Sequence, residues 1–331
     1  MSRTEGNPFK RKEVRFAPKR TTVIVLSFIP HLRGYFSERL EILQVCLLSI
    51  LKHTDRPFNL MVVDNGSCSQ VVKYLVDMKQ KGLIQHLLLH HENLGYGYAL
   101  SMAFQAALGE YVAFSNDDVF FYPNWLSNQI AILEAFPKVG FVGGQPIVGH
   151  PAAKLAPTIA SQLGLSLQDY TPPFEWVKEW AHSLGTTLED LLSDPYVKGE
   201  KLYLLRSKGI TAVTGCTGYQ YTFKRALLVD LPPLLKGLGV GPEDQHWHQA
   251  ADNRGYLNLN TVERFTLHLG NELDCLDHSL LEEYGIELPS PWRSLWKYRV
   301  RKFLNIIRTV YRIPKLSQIV KFLYQKLRDF N

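Results

Sequence analysis

Gly109-Glu-Tyr-Val-Ala-Phe-Ser-Asn-Asp-Asp118 is the stretch on which the fold turns. Its apolar run from Tyr111 to Phe114 ends in Ser115, Asn116 and two adjacent carboxylates, and apolar residues resume at Val119-Phe120-Phe121. A short apolar run between polar stops suits a strand buried in a parallel sheet. At the carboxyl end of such a strand, Asp117 and Asp118 face the crevice where open α/β sheets hold ligands. Neighbouring carboxylates repel each other unless a cation or a proton compensates. Two readings are open: a solvated turn, or hard oxygen ligands for Mg²⁺ or Mn²⁺ held against a phosphate.

The flanking sequence repeats the pattern. Thr22–Ser27, Leu60–Val63, Leu87–Leu89, Tyr111–Ser115 and Val139–Val142 read as strands. Between them, Leu40, Leu43, Leu47, Ile50 and Leu51, then Val72, Leu75, Val76 and Met78, then residues 97–108, have helical spacing, and Trp125–Phe136 follows. Alternation with short loops predicts a parallel sheet covered on both faces. Right-handed crossovers put the carboxyl ends of its strands on one rim. Residues 149–209, with five prolines and amphipathic pieces at Phe174–Leu184 and Thr187–Leu192, read as a helical insertion or lid. Strands resume at Thr211–Val213 and Tyr219–Phe223, and Pro242 opens a helix running towards Gly255.

Net charge over the 331 residues is +6, but unevenly spread: +5 in residues 1–20, +10 in 291–331 and −9 in between. An acidic body with basic ends argues against a nucleic-acid surface and for tails that meet something anionic. The first 20 residues read as a basic flexible arm. Residues 289–331 read as an amphipathic helical tail, with Trp292, Trp296, Phe303 and Ile307 opposite Arg293, Lys297, Arg301 and Arg308. Two readings stay open for it: a helix docked on the body, or one lying in an anionic membrane surface. The four scattered cysteines, the apparent lack of a leader and the lack of an ~18-residue apolar run lead us to expect a cytoplasmic protein, peripheral on the inner face of the membrane if the tail binds lipid.

Four further clusters carry chemistry. Asp64-Asn65-Gly66-Ser67 is turn chemistry, or a carboxylate placed for nucleobase N–H and ribose hydroxyl donors. Asn93-Leu-Gly95-Tyr-Gly97-Tyr-Ala99 leads into a helix whose N-terminus favours phosphate, though it is neither a Walker loop nor a dinucleotide fingerprint. Glu243 and Asp244 either complement a helix dipole or supply a general base. His268, in Thr266-Leu-His-Leu-Gly270, reads by itself as a structural histidine.

Taken in order, these motifs resemble family 2 glycosyltransferases of the GT-A fold over about residues 21–272, with a rhamnosyltransferase-like flavour of the kind that builds surface glycans. The resemblance implies an α/β fold with a mostly parallel sheet sandwiched by helices; it accounts poorly for 149–209, and the helical insertion within the 21–288 domain and the carboxyl-terminal amphipathic extension are read from the sequence itself. It implies a sugar moved from a nucleotide-diphosphate sugar to a hydroxyl of a glycan or lipid-linked acceptor, in the hexosyltransferase class. Asp64 would contact the base, with Asn65, Asn93, Gly95, Asn116 and Asp117 around the donor. Asp118 and His268 would hold Mn²⁺ or Mg²⁺ at the diphosphate, and Asp244, with Glu243 beside it, would be the catalytic base. Asn116 departs from the Asp-x-Asp pattern with a neutral first ligand, which weakens the metal site or shifts work to Asp117. Leu100 and Ser101 depart from the pattern of the Asn-x-Gly helix. With a base and no evident protein nucleophile, direct displacement with inversion is expected. Two other classes compete: a sugar-nucleotide nucleotidyltransferase, which would want a glycine-rich basic loop after the first strand, and a non-catalytic scaffold retaining sugar-nucleotide binding.

Overall fold

Five apolar runs do become the expected strands. In the computed structural model, which describes residues 17–147, 155–195, 197–233, 242–273 and 278–287 (backbone alone at 242–244 and 278–280), they are β1 (Thr21–Ser27), β2 (Phe58–Asp64), β3 (His86–Leu89), β4 (Tyr111–Asn116) and β6 (Val139–Gly143). The helices between them are α1 (Arg39–His53), α2 (Ser69–Gln80), α3 (Tyr96–Ala106) and α4 (Trp125–Ala135), with β5 (Val119–Phe121) just before α4. The segment expected to be helical contains α5 (Ala156–Gln162), α6 (Phe174–Ser183) and α7 (Leu188–Ser193). It also contributes β7 (Gln168–Tyr170) and β8 (Leu202–Ser207). Then come β9 (Ile210–Thr214), β10 (Gln220–Lys224), α8 (Leu227–Asp230), α9 (Pro242–Asp252), β11 (Leu257–Asn260) and β12 (Thr266–His268).

These elements lie in one compact unit, Met1–Cys275, while α10 (His278–Glu283) belongs to a second, Leu276–Asn331. The basic arm up to residue 16 and the tail from residue 288 lie outside the described residues. Among those described, no helix is long and apolar enough to cross a membrane.

The main sheet has ten strands in the order β3-β2-β1-β4-β10-β6-β11-β9-β8-β7. It is parallel through β3-β2-β1-β4 and again at β6–β11, while β10 runs antiparallel between β4 and β6. On the far side β9, β8 and β7 continue as an antiparallel meander, so the insertion widens the sheet as well as covering it.

Period-two alternation sorts the central strands between two cores. Val23, Val25, Leu60 and Val62 pack with Leu43, Leu47 and Ile50 of α1 and Leu75 of α2 on one face. Ile24, Leu26, Met61 and Val63 pack with Leu100 and Phe104 of α3 and Trp247 of α9 on the other. Burial on both faces is why these strands read as continuous apolar runs. Register aligns Ser27 with Asp64, and Leu26 with Asn116, so β1, β2 and β4 end on one rim.

A separate two-stranded ribbon decides the site. Directly after Asp118 the chain enters β5, which pairs antiparallel with β12 and sets His268 opposite Val119. The Leu269 amide then donates to the Asp118 carbonyl at 2.7 Å.

Away from that rim, Asp252 at the end of α9 is buried and accepts from Asn258 Nδ2 at 2.8 Å. Burial pushes its carboxyl up to about 8, against the Asn258 bond that draws it down. Between its unfolded value, about 4, and about 8, the fold holds a proton that the unfolded chain lacks, so stability falls as pH rises. Asp252→Asn should therefore gain on the native chain as pH rises from 5 to 8, by about 1–3 kcal/mol, and level off above. Urea unfolding at pH 5 and 8.5 measures it; a difference that stays constant with pH would show that the group is not protonated in the fold.

Candidate active site

The segments after β1, β2, β3, β4 and β12 build a cleft of about 310 Å³ at the rim, lined by Phe28, Tyr35, Arg39, Asn65, Asn93, Tyr96, Asp117, Asp118 and Asn271 among others. Asn65 and Asn93 lock two loops together. Asn65 Nδ2 donates to Asn93 Oδ1 at 3.0 Å, Asn65 Oδ1 accepts from the Leu94 amide at 3.0 Å, and Asn93 Oδ1 accepts from the Gly95 amide at 2.8 Å. Gly66 permits this approach: its φ is +88°, and a Cβ there would lie 2.7 Å from the Glu92 carbonyl carbon. Gly95, at φ +86°, turns the chain into α3.

Asp64 is fully buried and is not part of the cleft's lining. Its Oδ2 accepts from the Ser67 amide at 3.1 Å, while Oδ1 has no hydrogen-bond partner among the described residues. Burial pushes this carboxyl up, and donors from Ser67 work against that.

The acid pair is held by groups that sequence reading did not single out. Ser27 Oγ at the end of β1 donates to Asp117 Oδ2 at 2.7 Å. Arg39, the first residue of α1, places one guanidinium nitrogen on Asp117 Oδ1 and the other on Asp118 Oδ2 at 2.8 Å. The latter nitrogen also donates to the Gly270 carbonyl at 3.1 Å and to Asn271 Oδ1 at 3.2 Å. All three charged side chains are buried, at 8% exposure for Arg39 and Asp118 and 4% for Asp117. Burial raises Asp117 to about 6, more than Arg39 draws it down, and the Asp118 charge adds to the rise. Burial would raise Asp118 too, but the positive charges of His268, when protonated, and of Arg39 hold it below the ordinary carboxylate range. His268 itself is lowered, first by burial and further by Arg39, against the pull of Asp118. Its ring is thus neutral near pH 7, and Arg39 carries the compensation.

His268 stands beside Asp118. Its Nε2 is 3.5 Å from Asp118 Oδ2, and its Nδ1 is 2.9 Å from Ser183 Oγ at the end of α6. Trp180 and Tyr219 flank the ring at centroid distances of 5.1 and 5.2 Å. The insertion therefore orients this histidine. Asn116, the neutral member of the acidic motif, lines the cleft, and its Oδ1 is 3.5 Å from the Tyr96 hydroxyl. Glu243 and Asp244 fall in the first turn of α9, and their side chains lie outside the described residues.

Arg39 had left one signal in the sequence. A cation in a helix's first turn opposes the dipole, and such local rule-breaking collects at functional sites.

Residues 35–181 match the family model described as glycosyl transferase family 2, just under half of the chain. Over that segment the resemblance to family 2 glycosyltransferases holds. No curated protein matches the chain. Among solved structures, S. aureus TarS 1–349 is 16% identical, with 84% of this chain and 68% of that one covered and a TM-score of 0.44. Mannosyltransferase PcManGT from Pyrobaculum calidifontis, in complex with GDP-Man and Mn²⁺, is 20% identical over 76% of this chain and 59% of its own, with a TM-score of 0.42. GalNAc-T7 with UDP, GalNAc and Mn²⁺ is 14% identical over 74% and 42%, with a TM-score of 0.44. The chain thus spans less than two thirds of the length of the latter two.

A solvated turn would leave the acids dispensable; a buried ion cluster does not. Asp118→Ala leaves Arg39 paired with Asp117 alone and one of its buried nitrogens without its carboxylate, and should cost about 1–3 kcal/mol in urea unfolding at pH 7. A cost within about 0.5 kcal/mol, usual for surface positions, would mean a solvated turn after all.

Proposed function

We propose that the protein transfers a sugar, with inversion, from a nucleotide-diphosphate sugar to a hydroxyl of a glycan or lipid-linked acceptor. The observation that supports this most is the convergence on one rim: the β5–β12 ribbon brings His268 against Asp118, beside the Asn65–Asn93 loops that close the same cleft. The family match over residues 35–181 points the same way.

In this reading the nucleotide lies at the Asp64–Asn65 and Asn93–Gly95 side of the cleft. Asn65 and Asn93 line that side with Asp64 buried behind them, so a contact from Asp64 Oδ1 to an N–H of the base would need the carboxylate to turn out, and Phe28, Tyr35 and Tyr96 offer aromatic faces. The diphosphate lies towards Asn116, Asp117 and Asp118.

Among the described residues no three acid, histidine or cysteine side chains are gathered as a metal cluster, so a divalent cation there would take Asp118 and His268 as protein ligands and the rest from the diphosphate. Asp118 Oδ1 is buried without a hydrogen bond among the described residues, and the nearby imidazole is neutral. A carboxylate oxygen and an imidazole nitrogen are ligands that Mn²⁺ accepts, and Mg²⁺ would lean on the oxygens. When bound, such an ion would supply Lewis-acid stabilisation to the departing diphosphate.

Asp244, with Glu243 beside it, takes the acceptor's proton as the hydroxyl oxygen bonds to the anomeric carbon and the bond from that carbon to the diphosphate oxygen breaks. Nucleoside diphosphate and a neutral glycoside result. Such base catalysis is typically worth about 10²–10⁴-fold. Residues 291–331, basic and amphipathic, fit the anionic surface on which a lipid-linked acceptor resides, which would make the protein peripheral on the inner face of the membrane.

A panel of nucleotide sugars incubated with the full chain and Mn²⁺ tests this, with free nucleoside diphosphate as readout. One donor should be turned over, and Asp244→Asn should lose about 10²–10⁴-fold in rate while still binding it. Release of pyrophosphate would indicate nucleotidyl transfer instead, and donor binding without turnover would indicate a scaffold.

A further inference from the structure

We propose that Arg39 occupies the cation position of the Asp117–Asp118 pair until a nucleoside diphosphate arrives, and then exchanges the carboxylates for the diphosphate as a divalent cation takes its place. The proposal rests on the donor-site reading above.

The cluster is incompletely satisfied as it stands. Two adjacent buried carboxylates face one guanidinium, and among the described residues no other Lys or Arg pairs with either acid. Asp118 Oδ1 has no hydrogen-bond partner there, and neither has Arg39 Nε, although both atoms are buried. A buried network with a donor and an acceptor left over is costly, and a second arrangement that uses both relieves it.

The wall of the cleft contains this cluster, since Arg39, Asp117, Asp118 and Asn271 all line it. A divalent cation on Asp118 Oδ1 would sit close to the guanidinium held on Oδ2 of the same carboxylate, and the two cations repel each other. Without a further anion, the metal must therefore displace an arginine that has nowhere equivalent to go.

A diphosphate removes that conflict. Its oxygens accept the planar fork that the carboxylates release, and phosphate is a bidentate partner for arginine in the same way as carboxylate. The same oxygens supply ligands to the metal. Metal and nucleotide then bind with strong mutual dependence, because each creates the other's site. Arg39 is in this sense a positioning residue: it holds the acid pair apart from solvent cations and afterwards holds the donor.

Mn²⁺ titrations of the full chain, followed by the electron paramagnetic resonance of free Mn²⁺, test this with UDP and GDP as probes. Wild-type protein should bind Mn²⁺ at least about 10-fold more tightly with one of these nucleotides than without either, within the usual range of coupling between sites. Arg39→Met should bind Mn²⁺ alone at least about 10-fold more tightly than wild type, and the nucleotide should then add less than about 3-fold. Arg39→Lys keeps a charge but lacks the fork, so it guards against loss of folding, and it should fall between the two. Folded variants with wild-type affinity for Mn²⁺, while a nucleotide still binds wild type, would overturn the exchange alone. No response of wild type to either nucleotide, with or without Mn²⁺, would overturn the exchange and the donor reading together.

Discussion

A guanidinium lodged between two neighbouring carboxylates is the constraint on which the rim of this sheet depends. Desolvating two like charges side by side is unfavourable by several kcal/mol per ion unless an opposite charge meets them at close range. Arg39 does so from the first turn of α1, and it also ties down the Gly270 carbonyl and the Asn271 side chain. The ends of β4 and β12 and the start of α1 are thereby gathered at one point. Asp117 is fixed from a third side by Ser27 at the end of β1.

The fold supplies the rigid parts. Four parallel strands bring Ser27, Asp64 and Asn116 to the same level, and the β5–β12 ribbon adds a residue from 150 positions later in the chain, His268 against Asp118. The insertion contributes twice: its strands extend the sheet, and Ser183 with Trp180 sets the face that His268 turns to the acid. An exposed loop could not hold an imidazole and a carboxylate in register in this way. Paired strands and a buried hydroxyl can.

Much of this was legible in the sequence, and the rest was not for definite reasons. The parallel strands announced themselves because burial on both faces requires unbroken apolar runs, and Asp117-Asp118 stood out because it ended one of them. The short strands β5, β7 and β12, of three residues each, fall below the length at which alternation can be recognised. His268 looked structural on its own, since only strand pairing reveals its neighbour Asp118. Arg39 was hidden more deeply: it sits 78 positions from Asp117, and nothing in a charge pattern says where a long side chain ends. Asp64 illustrates the reverse. Its position at the rim was expected, whereas the lining of the cleft falls to Asn65, because a strand's last residue points inward when the next points out.

The central claim is that Arg39 and Asp118 act as one unit in a desolvated cluster. A double-mutant cycle in urea unfolding, with Arg39→Met, Asp118→Ala and the combined variant at pH 7, measures that coupling directly. The account predicts that the double variant is less destabilised than the sum of the single ones by about 2–3 kcal/mol. Additivity within about 0.5 kcal/mol would contradict it, since groups that do not interact add to that tolerance.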